Sequence, residues 1–226
     1  MIWFLDCEHP SLAETAPAVW ASVARRRLET KYRLEELTGE ACLLVRLGQL
    51  SRVRATLPVP RAILTSGNNT AFDAYPAAHL EALRGLLRDP PCPLLAICGS
   101  FQQLVVAHGG SIGPMPPLAT GEDRARDAIL PADRRHEHGF CGVEPTLPTP
   151  LWEGLPVPFT VWQHHFWEVQ TVPPALAVTA RSDACAVQAV AHRERPVWGV
   201  QFHPEEADAV HPDGWTILAN FWHACA

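Results

Sequence analysis

Short apolar runs alternate with longer segments of helical spacing through the first half of this sequence, and this alternation constrains its fold more than any other feature. The apolar runs predict buried strands at residues 2–5, 41–45, 61–65 and 93–97. Between them, Leu12 to about Leu37 and Ala77 to Leu87 carry apolar residues at helical intervals. Strands that alternate with helices predict the α/β class, with a mainly parallel central sheet flanked by helices.

The second half predicts a smaller antiparallel region. From about Gly139 onward short strand-like runs dominate, and residues 186–191 and 197–202 form a predicted hairpin. A final helix is expected from about Asp213 to Ala224. Residues 114–136 are rich in Pro, Arg and Asp and lack a clean period, so we expect a long loop or insertion there.

Two local patterns describe the first long helix. Ser11, with Glu14 three residues later, predicts a capping box at its start. Arg25, Arg26 and Arg27 predict a solvated, positively charged face on the same helix.

Composition narrows the classes of protein. With 47% hydrophobic and 19% charged residues, the chain fits one domain spanning residues 1–226. The formal net charge of -6 argues against nucleic acid as a partner. No apolar run is long enough to cross a membrane, and the start lacks a basic leader. The seven cysteines are scattered without C-x-x-C spacing, which predicts free thiols in a reducing, cytoplasmic compartment.

Cys98 directly follows the fourth predicted strand, and Gly99 and Ser100 follow it as a helical run begins. A strand, a tight turn and a helix are the layout of a nucleophile elbow, in which the turn lifts the thiol out of the sheet. The helix start offers backbone N–H groups and the positive end of its dipole, which favour the reactive thiolate. Position alone also allows a buried structural cysteine.

His203, Pro204 and Glu205 follow the last apolar run, residues 197–202. A thiol nucleophile needs a base, and the base needs a group that orients it. Glu205 is close enough in sequence to hold the imidazole of His203, and Pro204 restricts the backbone between them. Taken alone, the segment also fits a loop histidine beside an exposed glutamate.

Together these segments resemble the class I, or triad-type, glutamine amidotransferases, above all the glutaminase domain of GMP synthetase. Residues 96–102 resemble the family's G-x-C-x-G-x-Q nucleophile motif, and residues 199–205 match its G-V-Q-F-H-P-E segment at every position. Weaker likenesses, to the family's L-S-G-G-P, V-W-x-S-H, G-G and E-F-G landmarks, lie at residues 63–68, 161–165, 109–110 and 137–140. The resemblance runs from about residue 60 to the end.

The resemblance implies a flavodoxin-like fold and hydrolysis of L-glutamine by a catalytic triad. Cys98 would attack the side-chain amide, His203 would move the proton, and Glu205 would orient His203. A separate synthase subunit would take the ammonia. Neither a metal nor an organic cofactor is implied.

The resemblance also implies a set of groups that hold the substrate. The backbones of Gly67 and Gly99 would form the oxyanion hole. Gln102 would hold the amino-acid end of glutamine, one helical turn beyond the nucleophile. The backbone near His164 and His165 would do likewise.

Three departures from the family pattern surround the elbow. Ala96 and Ser100 replace the two motif glycines, and Gly99 stands where the family has a larger residue. The loop at residues 65–69 lacks the usual proline. We expect the turn to survive, because one glycine remains inside it.

A metal hydrolase is one alternative. Its ligands would come from residues 136–138, or from His164, His165 and Glu168. Neither pattern has the i, i+4 histidine pair or the cysteine partner that a zinc site usually has.

Two further alternatives keep the fold. A hydrolase of other γ-glutamyl amides would need no synthase, but Gln102 and the complete H-P-E segment favour the amidotransferase. A non-catalytic scaffold subunit would have no need of Cys98, His203 and Glu205 together.

Overall fold

A computed structural model describes residues 1–118 and 133–225 of the chain. Its helices are α1 (Leu12–Thr15), α2 (Pro17–Thr38), α3 (Leu50–Thr56), α4 (Ala77–Arg88), α5 (Gly99–Ala107) and α6 (Asp213–His223). Its strands are β1 (Ile2–Asp6), β2 (Cys42–Arg46), β3 (Ala62–Thr65), β4 (Leu94–Ile97), β5 (Ser111–Pro114), β6 (Glu137–Pro145), β7 (Phe159–His165), β8 (Trp167–Thr171), β9 (Leu176–Arg181), β10 (Ala189–His192) and β11 (Val197–Val200). Within this described part, no helix combines the length and apolar character needed to cross a bilayer.

In the described residues, nine strands form one sheet in the order β2-β1-β3-β4-β11-β10-β9-β6-β7. The first five strands of that order are parallel to one another. The remaining strands pair antiparallel, and β10 with β11 forms the predicted hairpin. A second sheet pairs β5 with β8. The expected α/β class, with a parallel block and an antiparallel second half, is confirmed.

The predicted first long helix is two helices. α1 ends at Thr15 and α2 begins at Pro17, because a proline at the first helical position cannot continue a preceding helix. The predicted capping box is wrong, since the Ser11 side chain makes no cap hydrogen bond. Its hydroxyl instead lies 2.6 Å from Nδ1 of His9.

The sequence pattern does not predict α3 or β8. α3 spans only seven residues and buries a single one, Leu50, so its apolar period is too weak to recognise. Of the predicted insertion at residues 114–136, residues 119–132 lie outside the described part of the chain. On either side of that stretch, Pro117 and Arg134 form an isolated antiparallel bridge.

Each face of the large sheet buries its own apolar cluster, because successive side chains of a strand point to opposite faces. In β1, Ile2 and Phe4 belong to the cluster covered by α2 and α6. Trp3 and Leu5 belong to the cluster covered by α4 and α5. Helices on both faces leave the carboxyl edge of the parallel strands as the place for a site.

Gly199 is the point of close approach between β11 and α5. A Cβ built on Gly199 would lie 2.5 Å from Cδ2 of Phe101 and 3.0 Å from Cδ2 of Leu104. Both side chains are fully buried at 0% exposure, so neither can move aside into solvent.

We therefore expect Gly199→Ala to lower the free energy of unfolding by about 1–3 kcal/mol, the usual cost of overpacking a core. Urea unfolding followed by circular dichroism measures this. Gly85→Ala in α4 is the matched control, because a Cβ there meets nothing within 4 Å. That control should be neutral or stabilising by about 0.5–1 kcal/mol. Equal unfolding midpoints for the two variants would contradict the packing argument.

Candidate active site

The predicted site segments meet at the carboxyl edge of three neighbouring parallel strands. β3, β4 and β11 are consecutive in the sheet. Gly67 follows β3, Cys98 follows β4, and His203 follows β11. Because parallel strands end at the same edge, the strand order makes these three residues neighbours.

Cys98 occupies a strained turn of the backbone. Its φ is 53° and its ψ is -115°. It is the single non-glycine residue with positive φ in residues 1–118 and 133–225. Its N–H donates to the Val200 carbonyl at 2.7 Å, and α5 begins at the next residue, Gly99. The predicted layout of strand, elbow and helix is confirmed.

Ser100 ties this elbow to the neighbouring strand β3. Its hydroxyl donates to the Thr65 carbonyl at 2.9 Å, and accepts from Thr65 Oγ1 at 2.7 Å and from the Ile97 N–H at 3.0 Å. The hydroxyl is fully buried and well bonded. The turn therefore survives the loss of the motif glycine, as expected.

Asn68 explains why residue 99 is glycine. A Cβ built on Gly99 would clash with Oδ1 of Asn68, which is the nearest side-chain atom to it. Asn68 stands at the second glycine of the family's S-G-G-P loop. The family has a larger residue at the elbow and glycine in the facing loop, whereas this chain has Gly99 at the elbow and Asn68 in the loop. The two departures therefore compensate each other.

His203 and Glu205 form a largely buried pair beside Cys98. Nδ1 of His203 lies 2.9 Å from Oε1 of Glu205, and the two side chains are 14% and 1% exposed. Cys98 lies close to the same ring, because a Cβ built on Gly67 would be 3.0 Å from Cε1 of His203 and 3.4 Å from Sγ of Cys98. The His203 N–H donates to the Trp162 carbonyl at 2.8 Å, which fixes the segment against β7. The structure thus places sulfur, imidazole and carboxylate in series.

The charges of this series set its protonation. Burial alone would lower the pKa of His203, but Cys98 and Glu205 outweigh it and hold that pKa well above its ordinary value. Burial would raise the pKa of Glu205, yet His203 and Arg27 hold it below its ordinary value. An imidazolium beside an ionised carboxylate is therefore the favoured state of this pair.

Gly67 approaches Cys98 and His203 closely. A Cβ built on Gly67 would lie 3.0 Å from Cβ of Cys98, 3.4 Å from its Sγ and 3.0 Å from Cε1 of His203. Gly99 is the first residue of α5, so its N–H has no partner within the helix. Both positions suit the oxyanion donors that the sequence predicts.

Gln102 reaches the site from the first turn of α5. Its amide nitrogen donates to Oε1 of Gln201 at 3.0 Å and to the Trp167 carbonyl at 3.1 Å. Both hydrogens are thereby committed, so its oxygen is the atom left to accept a hydrogen bond. The sequence pattern does not single out Gln201, whose Nε2 lies 3.6 Å from Sγ of Cys98. Its place in the G-V-Q-F-H-P-E segment is the signal that could have found it.

His165 is engaged in a buried network beneath β6 and β7. Its Nδ1 lies 2.9 Å from the Trp167 carbonyl and its Nε2 lies 2.9 Å from Oε2 of Glu137. The ring of His164 meets that of His138 edge-on at 5.3 Å. The His165 side chain is therefore committed to the fold.

One potential metal cluster lies in the described part of the chain. Ligand atoms of Glu137, His165 and Cys185 lie within 4.8 Å of one another. The Glu137 carboxylate, however, already accepts from Ser182 Oγ at 2.7 Å and from Gln188 Nε2 at 2.5 Å, besides its contact with His165. These bonds give Glu137 a structural role as a satisfied buried charge.

The expected solvated arginine face is right for Arg25 and wrong for Arg27. The Arg25 side chain is 67% exposed and pairs with Glu29. The Arg27 side chain is 8% exposed and its Nε lies 3.0 Å from Oδ1 of Asp6. Successive helical residues are about 100° apart, so Arg27 lies about 200° around the helix from Arg25 and can face the sheet while Arg25 faces solvent.

Comparison with known proteins places the chain in a family. The model of the class-I glutamine amidotransferase family matches residues 60–225. The glutamine-hydrolyzing subunit of GMP synthase from Pyrococcus furiosus is 35% identical over 192 residues, which cover 85% of this chain and 89% of that protein. Aminodeoxychorismate synthase of Streptomyces griseus is 36% identical over 129 residues, which cover 57% of this chain and 15% of that protein.

Solved structures agree on the fold. A protein described as a GMP synthase subunit from Thermoplasma acidophilum superposes with a TM-score of 0.71 at 21% identity, over 100% of this chain and 94% of that one. A glutamine amidotransferase from Thermotoga maritima superposes with a TM-score of 0.59 at 15% identity, over 91% of this chain and 77% of that one. The resemblance from about residue 60 onward is confirmed, and this chain belongs to the class I glutamine amidotransferases, of the GMP synthase type.

Proposed function

We propose that this chain hydrolyses L-glutamine to glutamate through a thioester on Cys98 and supplies the ammonia to a separate synthase subunit. One observation carries the proposal: the loop at Gly67 approaches Cys98 and His203 so closely that a Cβ built on Gly67 would lie 3.0 Å from Cβ of Cys98 and 3.0 Å from Cε1 of His203. A nucleophile, its base and a closely approaching backbone at one point are what amide hydrolysis requires.

The chemistry proceeds in two halves. The Cys98 thiolate attacks the side-chain amide carbon, a C–S bond forms, and the carbonyl π electrons move to oxygen. The C–N bond then breaks, His203 protonates the leaving nitrogen, and ammonia departs. In the second half His203 takes a proton from water, whose oxygen attacks the thioester. The C–S bond breaks, glutamate leaves, and the thiol is restored.

The surrounding groups have distinct tasks in this proposal. Glu205 holds Nδ1 of His203, so the other ring nitrogen is left to face the sulfur. The N–H groups of Gly67 and Gly99 stabilise the oxyanion. Gln102, with the backbone of residues 164–165, holds the amino-acid end of glutamine. No metal or organic cofactor takes part in these steps.

The relatives suggest which synthase to test. The Pyrococcus furiosus relative is the glutamine-hydrolyzing subunit of GMP synthase, and it matches most of this chain. A complementary GMP synthase subunit is therefore the first proposed partner. Aminodeoxychorismate synthase is the second, because a segment of it is 36% identical to this chain. The seven cysteines are all free, which supports a reducing, cytoplasmic location.

The purified chain should release ammonia and glutamate from L-glutamine in equal amounts, and Cys98→Ala should abolish this release because no thioester can form. Coupled glutamate dehydrogenase and ammonia assays measure both products. A panel of other γ-glutamyl amides runs in parallel. Faster cleavage of one of those amides than of glutamine would replace the proposal by the hydrolase alternative.

Glu205→Gln should lower kcat by about 10²- to 10⁴-fold, because an amide can present an N–H to Nδ1 of His203 and select the wrong tautomer. Removing the carboxylate also lowers the pKa of His203, since Glu205 helps to raise it. Steady-state kinetics and NMR titration of the histidine ring protons measure the two effects. A variant with wild-type kcat would remove Glu205 from the mechanism.

Gly67→Ala should lower kcat by about 10²- to 10³-fold, as loss of an oxyanion donor does, because the added methyl group pushes the loop away from Cys98 and His203. Gly85→Ala, far from any close neighbour, serves again as the control and should keep wild-type kinetics. Turnover within threefold of wild type for Gly67→Ala would contradict the proposed geometry.

A further inference from the structure

Arg27 reaches from α2 to the loop that covers the nucleophile. Its Nη2 donates to the Gly67 carbonyl at 2.9 Å, and its Nε donates to Oδ1 of Asp6 at 3.0 Å. The Ser66 hydroxyl donates to the same carbonyl at 2.8 Å. Two donors, one of them charged, therefore hold a single backbone oxygen next to Cys98.

The burial of this pair is costly as a means of stabilising a fold. Taken as whole residues, Arg27 and Asp6 each expose 6% of their surface. Removing a guanidinium and a carboxylate from water costs several kcal/mol per ion, and a well-packed apolar pair is often at least as stable. What an apolar pair cannot supply is a directed charged donor. Asp6 fixes the plane of the guanidinium, and this leaves Nη2 aimed at Gly67.

Gly67 is a residue that needs such a restraint. A glycine has no Cβ, so the peptide planes on either side of it rotate more freely than those of other residues. A trans peptide is planar, so holding the Gly67 carbonyl on the Arg27 side directs the N–H of Asn68 to the opposite side. It also limits ψ at Gly67, which restricts where the Gly67 nitrogen can lie relative to that carbonyl.

Both members of the pair lie outside residues 60–225, the part of the chain that the family model matches. The restraint on the loop therefore comes from β1 and α2, two elements outside that match. Neither residue touches the reacting atoms of the proposed mechanism. Any effect they have on catalysis must pass through the loop.

We propose that Arg27 is a positioning residue of the oxyanion hole: its guanidinium, oriented by Asp6, holds the Gly67 carbonyl so that the N–H groups of this loop face the oxyanion forming at Cys98. The proposal rests on the proposed function in one respect, because it takes Cys98 as the residue that is acylated. It does not depend on which amide is the natural substrate.

Two reagents separate this role from a merely structural one. p-Nitrophenyl acetate acylates a thiolate: the C–S bond forms, an oxyanion develops, and the C–O bond breaks to release p-nitrophenolate. Iodoacetamide alkylates the same thiolate by displacing iodide, and no oxyanion forms. The ratio of the two rate constants at Cys98 therefore reports the oxyanion hole. Subtracting the rates of Cys98→Ala removes the contribution of the other cysteines, and peptide mass mapping confirms the site.

Arg27→Gln should lower the acylation rate by about 10- to 100-fold, the size expected when a catalytic group is displaced by a fraction of an ångström to an ångström. Its alkylation rate should stay within about threefold of wild type, because that reaction needs no oxyanion donor. With glutamine, the same variant should lose kcat rather than gain KM, because the lost interaction acts in the transition state. Arg27→Lys should recover part of the acylation, since it keeps the charge but donates from one point.

Arg25→Gln is the matched control, because it makes the same change on the same helix at an exposed position. It should leave both rates at wild-type values. Ser66→Ala is the second variant, useful if Arg27→Gln does not fold, because it removes the other donor to the same carbonyl and keeps the ion pair. It should lower acylation by about 2- to 10-fold, the worth of one neutral hydrogen bond, and leave alkylation unchanged.

Four outcomes decide whether Arg27 positions the oxyanion hole. Selective loss of acylation in the Arg27 and Ser66 variants supports the proposal. Unchanged acylation, or a parallel fall of both rates in folded protein, overturns it. A wild-type chain that alkylates but does not acylate at Cys98 also overturns it, because the held loop is proposed to be competent in the free chain. If the Arg27 and Ser66 variants lose acylation selectively but the wild-type chain turns over no glutamine, this proposal is supported and only the proposed substrate is contradicted.

Discussion

The strained backbone at Cys98 is the constraint on which the rest of the site depends. A non-glycine residue at positive φ costs about 1–3 kcal/mol and persists only where its neighbours enforce it. Here β11 enforces it through the Val200 carbonyl, and β3 enforces it through Thr65, whose hydroxyl and carbonyl both bond to the Ser100 hydroxyl. The same two strands carry His203 and Gly67 to the sulfur. One set of sheet contacts therefore holds the nucleophile in its turn and delivers its partners.

Two stretches of the chain contribute to the site in different ways. The residues that would perform the chemistry all lie within residues 60–225, which the family model matches. The loop above Cys98 is instead held from the end of β1. Glu8 accepts from the N–H of Asn69 at 2.7 Å and from the N–H of Thr70 at 3.1 Å. The Cys7 N–H donates to Ser66 Oγ at 3.0 Å. This loop lacks the usual proline, and hydrogen bonds from outside it supply a rigidity that proline would otherwise give.

Local pattern was enough to predict the elbow at Cys98, the position of His203 after a strand, and the parallel block of the sheet. Each of these is encoded within a few residues: an apolar run, then Cys98 at a turn, or an apolar run, then His203. The inward direction of Arg27 could not be predicted, because nothing in three successive arginines says which one faces the sheet. Gln201 was missed for a related reason, since a buried strand end does not reveal which neighbour its side chain meets. The fit between Asn68 and Gly99 could not be predicted either, because the two residues lie in loops that are distant in sequence. Only the order of the strands brings these loops together.

The charge of Arg27 acts on two parts of the site, the Glu205 carboxylate and the Gly67 carbonyl. Burial alone would lower the pKa of Arg27, but Asp6 and Glu205 outweigh it and raise that pKa, so the guanidinium stays charged. The same cation helps to lower the pKa of Glu205, which orients the base. On its other side it binds the Gly67 carbonyl, and a cation at the oxygen of an amide polarises that amide and strengthens its N–H as a donor. A single buried arginine thus supports the carboxylate behind the base and the peptide that faces the nucleophile. This is why its cost in desolvation is better explained by catalysis than by the stability of the fold.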